Sequence, residues 1–186
     1  MNLSEAQVKL AELEHEPKFE RMLGVCSILT QMLHKHGIEP TIVGGFAVEI
    51  YSRSEYTTVD IDLVLIRRDL ADECLRSLGF SKLGRHWFHD PLGVSVEIPG
   101  DILNLSDRNK VLKMNLPDGG FVYVIGIEDI ILDRLRACVH WKSSSDCEWG
   151  ARLLLTHRTK LDLEYMTAKA LEDLTMVKFR EWLDLG

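Results

Sequence analysis

Cysteine is sparse and scattered: Cys26, Cys74, Cys138 and Cys147 are the four present, and none forms a Cys-x-x-Cys pair. That pattern argues against a zinc site or a disulfide framework and predicts free thiols in a reducing, cytoplasmic setting. No apolar run approaches the ~18 residues of a membrane span. Met1 to Pro17 carries Glu5, Glu12, Glu14 and Glu16, the wrong charge for a signal peptide. Basic residues are outnumbered 22 to 29, for a net charge of −7. Such a surface has no general attraction for DNA or anionic membranes. The chain also lacks a Gly-x-x-x-x-Gly-Lys-Ser/Thr loop, a Gly-x-Ser-x-Gly elbow and a dinucleotide-binding glycine fingerprint. It contains no internal repeat and no low-complexity segment.

What remains is 186 residues, 46% apolar and 27% charged. This is the composition and size of one globular domain, or of one domain with an appendage. Residues 1–16 form a polar, helix-prone arm with Leu3, Leu10 and Leu13 as anchors. From Pro17 to Gly37, Phe19, Met22, Leu23, Cys26, Leu29 and Leu33 recur at helical spacing. Pro40–Val43 reads as a short buried strand, Phe46–Tyr51 as a helix and Val59–Ile66 as a second strand. A helix capped by Asp69 runs to Leu78. Short strands around residues 86–89 and 94–98 follow, then a hairpin over 111–116 and 121–125. From Glu128 the pattern is helical throughout: one helix through Val139, then about 145–157, 161–171 and 176–183. The expected fold is mixed α/β (α+β). A core over residues 17–126, with a small mixed sheet flanked by helices, carries a helical segment over 127–186 packed against it.

The most informative pattern is Val43-Gly44-Gly45 followed by Asp60-Ile61-Asp62. In a strand, residues i and i+2 point to the same face, so both carboxylates converge. Asp is depleted in strands, and two on one face are costly unless solvated or metal-bound. Oxygen ligands of this kind suit Mg²⁺ (or Mn²⁺) shared with substrate phosphates. A solvated strand end is the alternative. A diglycine at a helix start lets backbone N–H groups approach a phosphate, although alone it would read as a tight turn. In Val94-Ser95-Val96-Glu97-Ile98, Glu97 and Ser95 face away from the apolar set. If that strand lies beside Val59–Ile66, Glu97 joins Asp60 and Asp62. Three carboxylates can hold two ions for in-line displacement at phosphorus. Asp101 competes for the third place.

Gly-Gly, a short helix, Asp-x-Asp on a strand and an acid on a later strand resemble the DNA polymerase beta-like nucleotidyltransferase superfamily. Residues 43–49 (VGGFAVE) and 56–64 (YTTVDIDLV) are similar to small bacterial and archaeal nucleotidyltransferase-like proteins, some related to abortive-infection toxins. Glu128–Leu135, His140-Trp141-Lys142 and Leu161–Tyr165 extend the resemblance to the end of the chain. The resemblance implies transfer of a nucleoside monophosphate from an NTP to an acceptor, with release of pyrophosphate. Gly44 and Gly45 would hold the triphosphate, Asp60 and Asp62 the metals, and Glu97 would complete the metal site and assist deprotonation. The chain departs from the superfamily in having Gly45 where many members have Ser, and Tyr56 where many toxin-like relatives have Arg.

Other features are weaker. Arg134 and Lys142 are placed on the first tail helix, where they would reach the nucleotide phosphates or simply face solvent. Asp133 and Arg134 form a candidate ion pair. Arg134, Arg136, Lys142, Arg152 and Arg158 would contact an RNA end only if they shared a face. His86 and His89 lie on opposite faces of a strand, which excludes a shared metal. Trp141, Trp149 and Trp182 read as interhelix packing. The acceptor is open between a small molecule such as an aminoglycoside, a tRNA 3′ end and a protein side chain, and no extended DNA contact is expected. Two alternatives stand beside transfer. One is a non-catalytic binding protein or toxin–antitoxin component with a protein partner; the other is a metal-dependent phosphohydrolase.

Overall fold

The computed structural model describes residues 1–99 and 108–185. Among them, seven strands form one mixed sheet: β1 Thr41–Val43, β2 Asp60–Val64, β3 Ser81–Leu83, β4 His86–His89, β5 Val94–Glu97, β6 Leu112–Asn115 and β7 Phe121–Val124. Their order is β3-β4-β5-β2-β1-β7-β6. The β1–β7 and β2–β5 pairs are parallel, and the other pairings are antiparallel.

The described residues also form eight α-helices: α1 Leu3–Glu12, α2 Lys18–His34, α3 Gly44–Tyr51, α4 Arg68–Ser77, α5 Ile127–His140, α6 Ser144–His157, α7 Leu163–Glu172 and α8 Met176–Leu183. The stripe on α2 becomes buried Met22, Val25, Cys26, Ile28, Leu29, Met32 and Leu33. Alternation in β2 sends Ile61 and Leu63 into the core, at 0% and 1% exposure, and leaves Asp60 and Asp62 on the other face. Trp87 of β4 is buried on that same core side, its indole N–H donating to Asp72 of α4 at 3.1 Å. The arm is docked by Ala6 and Leu10 on α1, while Leu3 remains exposed.

The C-terminal helices pack on α3 and on one another. Tyr51 at the end of α3 donates its hydroxyl to the Ile125 carbonyl (2.7 Å), and His157 of α6 bonds the Tyr51 carbonyl (3.0 Å). Asp129 of α5 accepts from the Tyr165 hydroxyl of α7 at 2.5 Å. Phe179 and Trp182 of α8 are buried. No helix among the described residues is long and apolar enough to cross a membrane.

Several expectations need correction. Cys138 and Cys147 form a disulfide, with Cα atoms 4.7 Å apart, whereas Cys26 and Cys74 are free. The chain reverses between α5 and α6, which brings together two cysteines on successive helices. Asp69 does not cap α4: it lies in the first turn, with Arg67 at the cap position and its guanidinium on the Asp69 carboxylate at 2.9 Å. Trp141 follows α5 and is exposed, while Trp182 is buried. Arg134 is not on a solvated face. Only 16% of its side chain is exposed, and its Nη1 and Nη2 bond Asp146 and Asp133, each at 2.7 Å.

Candidate active site

Parallel pairing of β2 with β5 sets Asp60 opposite Ser95 and Asp62 opposite Glu97. All four therefore share the sheet face turned from the α2 side, and Ser95 donates its hydroxyl to the Asp60 carboxylate. Antiparallel pairing carries the rows one strand further, with His86 opposite Glu97 and Phe88 opposite Ser95. His89 lies on the other face, its ring 4.9 Å from that of Phe80.

The diglycine approaches from β1, where Val43 pairs with Asp62. Gly44 has φ +60°, and a Cβ there would lie 2.9 Å from the carboxyl carbon of Asp62. Both conditions demand glycine: a left-handed backbone and contact with a carboxylate. The Gly45 N–H donates to Asp62, so this carboxylate sits at the positive end of α3. A Cβ on Gly45 would lie 2.8 Å from Thr58 Oγ1 and 3.5 Å from the Tyr56 ring. The segment bearing these two residues is held by Glu49, which accepts the Thr58 N–H at 3.0 Å, and by Lys18, which donates to the Thr58 carbonyl. On the far side of Tyr56, Trp149 of α6 packs edge-on, 5.2 Å between centroids, with Arg152 over the indole.

Electrostatics at this face are unbalanced. Burial pushes Asp62 up to about 6, and repulsion from Glu97 and Asp60 adds to the rise. Glu97 is largely buried, its Oε1 2.9 Å from Arg85 Nε and its Oε2 3.6 Å from His86 Nδ1. Among the described residues, no three His, Cys, Asp or Glu side chains are arranged to hold one metal ion as they stand. The donor chemistry nevertheless fits a divalent cation. Asp60 and Asp62 offer hard oxygens on one face beside a glycine cradle, each accepting one hydrogen bond, from Ser95 and from the Gly45 N–H.

Of the residues singled out in the sequence, Gly44, Gly45, Asp60, Asp62 and Glu97 are brought together. Arg134 lies within electrostatic reach of Asp62, but its two terminal nitrogens are committed to Asp133 and Asp146. Lys142 is not on α5: it follows the helix with φ +55° and is exposed. Arg136 is held by Asp173 and Arg158 by the Leu183 carbonyl, so the basic residues of the tail do not form one free face. Asp101 lies outside the described residues. Reading the sequence missed Arg85, which no spacing rule connects to Glu97. It also assigned no role to Ser95, although the alternation that selected Glu97 places Ser95 on the same face.

No protein-family model matches the chain, and no curated protein sequence matches it. Solved structures do. An antigenic nucleotidyltransferase-like protein from Paracoccidioides brasiliensis superposes with a TM-score of 0.58 at 18% identity, over 82% of this chain and 88% of that one. ANT(2″)-Ia, in complex with adenylyl-2″-tobramycin, gives 0.55 at 16% identity over 79% and 93%. The solution structure of ANT(2″)-Ia, an antibiotic-resistance factor, gives 0.50 at 16% identity over 84% and 90%. With its mixed sheet and flanking helices, this chain has the nucleotidyltransferase-like fold.

Proposed function

We propose that the protein is a Mg²⁺-dependent nucleotidyltransferase that moves a nucleoside monophosphate from an NTP to an acceptor hydroxyl. One observation carries the reading: Asp60, Asp62 and Glu97 meet on one sheet face beside the Gly44–Gly45 start of α3. Asp60 and Asp62 would hold Mg²⁺, with Glu97 completing the set. Bound there, the ion would supply charge neutralisation for the triphosphate and the departing pyrophosphate.

The chain's own residues have separate tasks. The Gly44–Gly45 start of α3 would hold the triphosphate at the positive end of the helix, beside the carboxylate that accepts the Gly45 N–H. Ser95 orients Asp60 through its hydroxyl. Glu97 accepts the proton of the acceptor hydroxyl as its oxygen bonds the α-phosphorus and the bond from phosphorus to pyrophosphate breaks. Positioning and electrostatics supply most of the rate in such transfers. ANT(2″)-Ia, seen with adenylyl-2″-tobramycin, is a precedent for this fold holding an acceptor joined to an adenylyl group. The acceptor here is a hydroxyl compound of unassigned class.

A non-catalytic binding role is favoured by one observation, the engagement of Glu97 by Arg85. Thermal stability with each NTP, with and without Mg²⁺, decides between the two. The catalytic reading expects a Mg²⁺-dependent rise for wild type that is absent in Asp60→Asn/Asp62→Asn. Ligand at 100 times its Kd adds about 2.7 kcal/mol. No rise with any NTP at millimolar concentration would overturn it. Release of pyrophosphate, as opposed to orthophosphate, separates transfer from hydrolysis.

A further inference from the structure

Glu97 stands between two neighbours of opposite character. Across β5–β2 it faces Asp62; across β5–β4 it faces His86, with the guanidinium of Arg85 from the β3–β4 turn on its Oε1. The pairing of Leu83 with His86 leaves Gly84 and Arg85 as the two turn residues of the β3–β4 hairpin. Arg85 is therefore a surface residue, 72% exposed, reaching in to a carboxylate only 11% exposed. An exposed arginine gives up rotamer freedom to hold one geometry. Here the return is charge: three carboxylates share one sheet face, Asp60 and Asp62 on β2 and Glu97 opposite Asp62 on β5. Arg134, which acts electrostatically on Asp62, already serves Asp133 and Asp146.

We propose that Arg85 is a positioning residue, a displaceable counter-ion that occupies the Glu97 carboxylate until a metal ion competes for it. The proposal rests on the metal-dependent reading above and concerns how that site is assembled. While the guanidinium holds Oε1, that oxygen is committed to Arg85. On release, Arg85 returns to solvent on its flexible stem and the Glu97 oxygen becomes free to bind the metal beside the aspartates.

The test is Mn²⁺ binding to the purified full chain, followed by electron paramagnetic resonance of free Mn²⁺ without nucleotide. Wild type, Arg85→Ala, Arg85→Lys, Glu97→Gln, Arg85→Ala/Glu97→Gln and Asp60→Asn/Asp62→Asn are compared. Arg85→Ala is expected to bind Mn²⁺ about tenfold more tightly, the factor that ~1.4 kcal/mol represents. Arg85→Lys should fall between, and Arg85→Ala should change nothing once Glu97 is Gln. Metal-free Arg85→Ala should melt below wild type, again only while Glu97 is present. If Arg85→Ala binds Mn²⁺ as wild type does, while Asp60→Asn/Asp62→Asn loses binding, the role of Arg85 is refuted and the metal site stands. If the aspartate variant binds Mn²⁺ as wild type does, or neither binds it, the metal-dependent reading fails and this proposal with it.

Discussion

Glu97 and Asp62 lie directly opposite each other on paired strands, yet the Glu97 carboxylate is held by Arg85 on the far side. One sheet face thus carries three carboxylates, and a residue of the neighbouring turn pairs with one of them. Charge crowding of this kind has measurable consequences.

Asp62→Asn is expected to stabilise the metal-free protein. The Asp62 pKa is raised from 3.8 to about 6, so the folded state binds this proton more tightly than the unfolded chain. The benefit is full below pH 3.8, is lost between 3.8 and about 6, and becomes a constant penalty above. The gain of the Asn variant over wild type should therefore grow from pH 4 to pH 6 and plateau by pH 7. After allowance for partial solvation it is worth about 1–2 kcal/mol. Melting curves across pH 4–8 in EDTA check this, and millimolar Mg²⁺ should reverse the order.

Gly44→Ala combines a left-handed backbone with a collision at Asp62. A loss of about 2–3 kcal/mol is expected, against about 1 kcal/mol for Gly37→Ala, where φ is +70° but nothing lies within 4 Å of the new Cβ. Urea unfolding of both variants isolates the cost of displacing the carboxylate. Only the Gly44 variant should also lose Mg²⁺-dependent stabilisation by NTP.

Arg134→Ala is expected to act on stability first. It leaves Asp133 and Asp146 without their shared cation between α5 and α6, at a cost of about 3 kcal/mol. Asp146→Asn, which leaves Asp133 as partner, should cost less. Chemical denaturation ranks the two; equal losses would show that the Asp133 contact contributes nothing.

Cys138→Ser/Cys147→Ser is expected to destabilise by about 2–3 kcal/mol through the unfolded chain, because the bridge closes a loop across a sequence separation of 9. Thiol titration of the unfolded wild type without reductant should find two reactive cysteines, and four after reduction.

The local chemistry was legible in the sequence because short-range rules govern it. Period-2 alternation selected Asp60 with Asp62, and Ser95 with Glu97. Helical spacing marked α2 and the four tail helices to within a few residues, and the glycines announced a close backbone approach. These depend on residues within a few positions of one another.

What depended on pairing between distant segments was not legible. The parallel register of β2 with β5 decides that Glu97 faces Asp62, and the β3–β4 turn decides that Arg85 reaches Glu97. The reversal between α5 and α6 joined Cys138 to Cys147, buried Arg134 and left Lys142 outside the helix. The sequence by itself determined which side chains share a strand face or helix stripe, because backbone geometry repeats locally. Only the tertiary structure decided which faces meet, because strand register and helix docking are set by packing of the whole core.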